Sequence, residues 1–303
     1  MREGHTADFS HLRPALDRLY REFDRSGRIS DPIELVRPFS DPADAEIVGF
    51  CAAGLAFGRV ASILASVAAL LEVLGPSPSA FVRRFEPERD RARFDHLGHR
   101  WTRGRDLAAL IWILKQMLED AGSIEQYFLD GDTPGSVDIG AGLERFCQRA
   151  RQLDVSRVYG GEAGRPGAHG FFAQPSAGSA CKRLNLFLRW MVRRDRIDLG
   201  TWRGVSPARL IIPLDVHVVR VGRCLRLTRY QTAGWRMAAD ITASLRTLDA
   251  DDPVRYDFAL CHVGMLNLCG LGRPAGDSAC PLKGACRPRA GRRRASGPPS
   301  GPR

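Results

Sequence analysis

Lysine is nearly missing from this chain. Three lysines, Lys115, Lys182 and Lys283, stand among 45 basic residues in 303. Arginine therefore serves wherever a plain positive charge suffices. A guanidinium cannot give up its proton to act as an amine nucleophile, so only these three positions are open to that chemistry. A long hydrophobic run is also missing: the longest, VASILASVAALL at 60–71, is interrupted by Glu72. It is too short to span a bilayer and reads as a buried core helix, which excludes a membrane partner. The opening stretch MREGHTADFSHLRPALDRLYREFD is charged throughout and has no signal-peptide pattern, so a cytoplasmic protein is expected. No series of alternating strands and no internal repeat is found, which argues against strand-built and solenoid folds.

What is present is a helical pattern with a basic balance. Hydrophobic residues make up 44% and charged residues 26%, the composition of a soluble globular protein, and the formal charge is +11. Part of that charge is a tail, RPRAGRRRASGPPSGPR at 287–303, with six Arg and no acidic residue, and its composition predicts disorder. The rest keeps a charge of +5 and forms one helical region over 1–286, still basic enough to suit a polyanion. Apolar spacing of 3.6 residues predicts helices near 11–24, 43–56, 58–74, 104–120, 136–152, 182–194, 215–226, 235–248 and 253–268. Asp252-Pro253 reads as an acidic cap followed by proline at the first helical position. LAALIWILKQML at 107–118 is apolar nearly all round and predicts a central buried helix. The fold class expected is all-α.

A long Gly/Pro loop, YGGEAGRPGAHGFFAQPSAGSA, covers 159–180. Loops of that length inside a domain are functional or disordered. Two readings of Phe171-Phe172 are open. The pair stacks on or wedges between bases, or one ring plugs the core while the other stays half-exposed.

Beyond the loop, small residues lead into the helical face of AGSACKRLNLFLRWMVRRD at 177–195. Such a turn opening a helix presents backbone N–H groups to a phosphate. Lys182 falls in the first turn, where the positive end of the helix dipole favours a neutral amine. In IIPLDVHVVRVGRCL at 211–225, Leu214, Val218, Val221 and Leu225 share one helical face and Asp215 stands at the helix start. On spacing alone, Asp215 is a cap and Lys182 a solvated first-turn lysine, or the two are a catalytic pair.

The order of small-residue turn, helix opening with Lys, and Pro-x-Asp-x-His-Val-x-Arg-Val resembles the HhH-GPD superfamily of endonuclease III-like DNA glycosylases. SACKRLNLFLRWMVRRD, IIPLDVHVVRVGRCL, DPVRYDFAL and DAEIVGFCAAGLAFGRV resemble more closely an uncharacterised bacterial family distantly related to those enzymes, over residues 10–286. The resemblance implies a two-lobed helical fold and a cytoplasmic, nucleoid-associated protein acting on damaged or abasic double-stranded DNA. It implies Lys182 as Schiff-base nucleophile and Asp215 as catalytic aspartate. It also implies DNA contacts from Gly178, Ser179, Ala180, Asn185, His217 and Arg220. The target nucleotide would be flipped into a pocket at a cost of about a few kcal/mol, the base displaced, and the strand nicked by β-elimination. This chain departs from the superfamily at three points. The hairpin reads Gly-Ser-Ala and lacks a second phosphate-facing glycine. RDRIDLGTWRGVSPARL at 194–210 is inserted between Lys182 and Asp215. AAGLAFGR stands where a base-replacing glutamine is usual.

Eight cysteines are kept reduced by an intracellular setting. Cys51, Cys147 and Cys224 read as small core residues. Endonuclease III-like enzymes often end in a cysteine motif holding a [4Fe–4S] cluster, which implies Cys269, Cys280 and Cys286 as ligands. The fourth ligand is missing, since Gly276, Asp277 and Ser278 occupy its place. Alternatives to the glycosylase and abasic-site lyase are a non-catalytic nucleic-acid-binding relative, or an iron–sulfur redox protein.

Overall fold

The periodic segments become helices in a computed structural model that describes residues 8–23, 31–160, 167–266, 268 and 280–286. The helices are α1 (Arg13–Phe23), α2 (Pro42–Gly54), α3 (Val60–Leu74), α4 (Pro78–Arg84), α5 (Pro87–Asp90), α6 (Gly104–Ala121), α7 (Ile124–Leu129), α8 (Gly140–Gln152), α9 (Ser156–Tyr159), α10 (Lys182–Val192), α11 (Val216–Cys224), α12 (Trp235–Arg246) and α13 (Asp257–Met265). One antiparallel pair, β1 (Gly98–His99) and β2 (Thr102–Arg103), forms a hairpin. The structure is predominantly helical, as the spacing predicts. The additional helices α4, α5, α7 and α9 have seven residues or fewer, too few to show a period. No single described helix is long and apolar enough to cross a membrane.

α2 and α6 are buried nearly all round. α10 lies across α2, and Gly49 permits the contact: a Cβ there would come within 2.8 Å of Met191 Cε. α4, α7 and α9 flank α6, while α11 packs on α13 and α1 on the other side of α13. Glu46, buried in α2, accepts from Ile124 N at 2.9 Å, Glu125 N at 2.8 Å and Trp202 Nε1 at 2.8 Å. One carboxylate thus caps α7 and ties in the segment after α10. Burial raises its pKa, and the three donors oppose that shift.

The stretch 194–210 folds back onto α10. Asp198 pairs with Arg189 and Arg193, Trp202 sits edge-on to Phe187 at 5.3 Å, and Ile197, Val205 and Leu210 are buried.

Two expectations are corrected. The last helix begins at Asp257, not Pro253, because the carboxylate of Asp252 accepts from Arg193 Nε at 2.9 Å and is not available as a cap. In the 159–180 loop both aromatics are buried, Phe171 at 4% exposure and Phe172 at 0%. Phe172 packs against Phe50 and Phe146, and Phe171 lies beneath the Arg183 guanidinium. Neither ring is available to stack on a base. The tail at 287–303 lies outside the described residues.

Candidate active site

The first turn of α10 is built by an irregular approach. Two 3-10 turns, Gly167–Phe171 and Pro175–Ala177, precede it where a helix-hairpin-helix would place an α-helix. Gly178 then takes φ +79° and Cys181 φ +48°, so the chain enters α10 through left-handed backbone at both residues. Cys181 gives α10 no side-chain cap, leaving its first N–H groups without the usual acceptor. Asn185 is 1% exposed, and its Nδ2 donates to Ala180 O at 3.1 Å. It holds the turn from inside and does not face a ligand. Gly178 O accepts from Trp235 N at 3.4 Å, bringing the start of α12 against the same turn. Ser179 Oγ accepts from Cys181 N at 3.1 Å. Of the three small turn residues, Gly178 is exposed and Ser179 and Ala180 are half-buried.

Lys182 is half-buried, and its Nζ donates to Ala56 O at 2.9 Å. Its neighbour Arg183 donates to Gly54 O at 2.8 Å and lies over the ring of Phe57. The two cations meet the last carbonyl of α2 and one two residues beyond it, near the negative end of the helix dipole. Of the other lysines, Lys115 is buried and paired with Glu86 at 2.6 Å, and Lys283 is exposed on the 280–286 turn.

Asp215 is the N-cap of α11, as its position predicts. Its Oδ1 accepts from His217 N at 2.9 Å and Val218 N at 2.8 Å. Its Oδ2 accepts from the Cys261 thiol at 3.2 Å. His217 and Arg220 follow on α11. Gly264 allows α13 to approach there, since a Cβ would lie 2.6 Å from His217 Cβ.

These elements enclose a cleft of about 690 Å³, within the size range of small-ligand sites. Lys182 and Asp215 both line it, together with His217 and Arg220. The two do not form an ion pair, because Lys182 is engaged by Ala56 and Asp215 by the α11 amides and Cys261. One wall comes from α13, which contributes Asp257, Phe258, Cys261, His262 and Met265. Arg189 closes the floor, bridging Asp257 and Asp198. Burial pushes the Asp257 carboxyl up to about 6, with Arg189 opposing. The Cys261 thiol is raised well above its ordinary value, chiefly by burial and then by the Asp215 and Asp257 charges. Burial pulls His262 down. Asp257 Oδ1, His262 Nε2 and His217 Nδ1 are buried without a hydrogen-bond partner. Groups shifted in this way and gathered in one cleft make it a candidate functional site.

Asp257, Cys261 and His262 have no role in the motif reading, although their signal is in the sequence. Asp257, Cys261 and Met265 recur every four residues, with Phe258 and His262 beside them, which marks one helical face. What shows nothing in sequence is that this face turns toward Asp215.

Cys269, expected from the resemblance as a cluster ligand, lies outside the described residues. Cys280 is buried and Cys286 half-buried, and the described residues contain no group of three or more His, Cys, Asp or Glu placed to hold a metal ion.

One family of proteins of unknown function, DUF2400, matches this chain over residues 31–266. No curated protein and no solved structure matches it, and nothing in the family match ties it to the helix-hairpin-helix glycosylases.

Proposed function

We propose, for a chain that belongs to the DUF2400 family, a DNA glycosylase or abasic-site lyase that uses Lys182 as nucleophile and Asp215 as its acidic partner. One observation carries this reading: an amine and a carboxylate 33 residues apart in sequence line the same cleft. Neither of the other two lysines lines it, so Lys182 is the lysine amine placed there to form an imine.

In this mechanism an everted nucleotide enters the cleft, and Lys182 leaves the Ala56 carbonyl as a neutral amine. Nζ forms a bond to C1′ of the sugar while the glycosidic C–N bond breaks, its electron pair leaving with the base. The Asp215 carboxylate offsets the positive charge that develops on the sugar as the C–N bond breaks, and its Oδ2, the oxygen not committed to the α11 amides, then takes the proton released when Nζ bonds C1′ and passes it to the departing base. Opening of the sugar ring gives the imine, and loss of a C2′ proton expels the 3′ phosphate. The exposed turn at Gly178 and the start of α10, which has no side-chain cap, suit a phosphate of the strand, and Arg220 lines the cleft.

Borohydride trapping on abasic-site duplex DNA tests the proposal. The expected result is a covalent protein–DNA adduct that disappears in Lys182→Ala. No adduct with the unaltered protein, or one that survives the substitution, rules out Lys182 as nucleophile.

A second reading is a non-catalytic nucleic-acid-binding relative. It is favoured by the resting bonds, since Lys182 serves a helix end and Asp215 caps another. It predicts salt-dependent DNA binding that Asp215→Asn leaves unchanged.

A further inference from the structure

We infer that Trp101 and Arg100, at the tip of the β1–β2 hairpin, form a stacking platform for an unpaired nucleobase at the mouth of the cleft. The inference rests on the nucleic-acid reading of that cleft but not on Lys182 chemistry.

Trp101 is 71% exposed, the one aromatic among the large side chains so exposed in the described residues. Scattered exposed apolar residues are ordinary, but an indole held on a rigid turn is not. Its ring stacks on Phe57 with centroids 4.6 Å apart and planes 25° from parallel. Phe57 and Gly58 line the cleft, so the indole continues that wall outward. Arg100 lies 5.9 Å from the Trp101 ring and rests on Gly58, where a Cβ would come within 3.0 Å of its Nη1. Arg183 covers Phe57 from within. Arg59 and Arg103 are exposed nearby in the chain, so the hairpin carries aromatic and positive groups together.

The hairpin is fixed to its base. His99 is 3% exposed and bonds Phe57 O at 2.8 Å and Ser66 Oγ at 3.0 Å. Gly104 follows directly, and a Cβ there would fall 1.9 Å from Phe94 O, so only glycine permits the close approach at the hairpin's exit. Arg100 holds φ +54°, a conformation glycine adopts more readily. Keeping arginine there spends strain on presenting its side chain. An aromatic face flanked by arginines on a rigid turn fits a base and its phosphate, since every base has a π-face and every nucleotide a charge.

The test measures affinity by the anisotropy of a dye-labelled single-stranded oligonucleotide titrated with the full chain, with tryptophan emission of the parent as a second readout. Trp112, Trp190 and Trp202 are buried and Trp235 half-buried, so quenching reports mainly on Trp101. Binding should quench the emission, and Trp101→Ala should lose affinity by roughly 5- to 150-fold, the range for one base–aromatic stack. Trp101→Phe should retain most of the affinity. Equal affinity in Trp101→Ala and the parent overturns the platform. Quenching that persists while the borohydride trap fails overturns the lyase reading alone and leaves the platform in place. No binding by the parent protein overturns both.

Discussion

The Cys261 thiol donates to Oδ2 of Asp215 across the α11–α13 contact, while Oδ1 of the same carboxylate receives the first amides of α11. The cap and the proposed acid partner are therefore two oxygens of one side chain. A helix cap alone needs one oxygen. The second faces a cleft that also holds Lys182.

Replacing Asp215 separates these roles. Asparagine caps a helix about as well as aspartate, so Asp215→Asn should unfold within about 0.5 kcal/mol of the parent, whereas Asp215→Ala should cost about 0.5–2 kcal/mol. If the carboxylate stabilises charge in the transition state, Asp215→Asn should still slow single-turnover lyase activity by about 10²–10³. Denaturant unfolding and single-turnover rates on one set of proteins check both. Loss of rate only in step with loss of stability would reduce Asp215 to a cap.

Lys182→Arg keeps a cation that can reach the Ala56 carbonyl. Stability should change little, and DNA affinity should stay near the parent value. The borohydride adduct should vanish, because a guanidinium does not form the imine. An adduct in Lys182→Arg would place the nucleophile elsewhere.

Burial and two nearby carboxylates hold the Cys261 thiol far above its ordinary range. Little thiolate exists near neutral pH, so iodoacetamide should label Cys261 much more slowly than an exposed thiol such as free cysteine. Labelling should accelerate when the protein is unfolded. Peptide mapping after timed alkylation measures this, and rapid native labelling would contradict the Asp215 contact.

Asp257 gives a pH signature. Its carboxyl lies at about 6 in the fold against 3.8 in an unfolded chain, so the native state holds the proton more tightly. The resulting stabilisation is complete below the unfolded value and is lost as pH rises through about 6. Asp257→Asn carries no such titration. The parent's stability relative to this variant should therefore fall between about pH 4 and pH 6, then level off. Calorimetric Tm values across that range test it, and a difference that grows with pH would reverse the assignment.

Removing the opposing charge is more severe. Arg189 is 3% exposed and serves both Asp198 and Asp257, so Arg189→Ala should cost about 3–5 kcal/mol by leaving buried carboxylates uncompensated. Urea unfolding would show it, and a loss below about 1 kcal/mol would mean that the network reorganises.

Much of the helical content is legible without coordinates because period is local. α2, α6 and α10 announce themselves by apolar spacing, and Asp215 by its place before an amphipathic run. Local chemistry misleads where a distant partner competes for the same atom. Asp252-Pro253 looks like a helix start, but Arg193 occupies the carboxylate, and helix begins at Asp257. Phe171 and Phe172 sit among glycines and look mobile, yet α2, α8 and α10 supply the rings and the guanidinium that bury them.

The chain's own order of residues is enough to make it helical, to single out Lys182 by the scarcity of its kind, and to place Asp215 on a helix start. These properties depend on composition and on neighbours within a turn or two. That the amine and the carboxylate share a cleft, that α13 presents Cys261 and Asp257 to it, and that Trp101 stacks on Phe57 of its wall come from packing between segments far apart along the chain. Periodicity says which face of a helix is apolar. It does not say which other helix will meet that face, because that choice is made by the fit of whole surfaces.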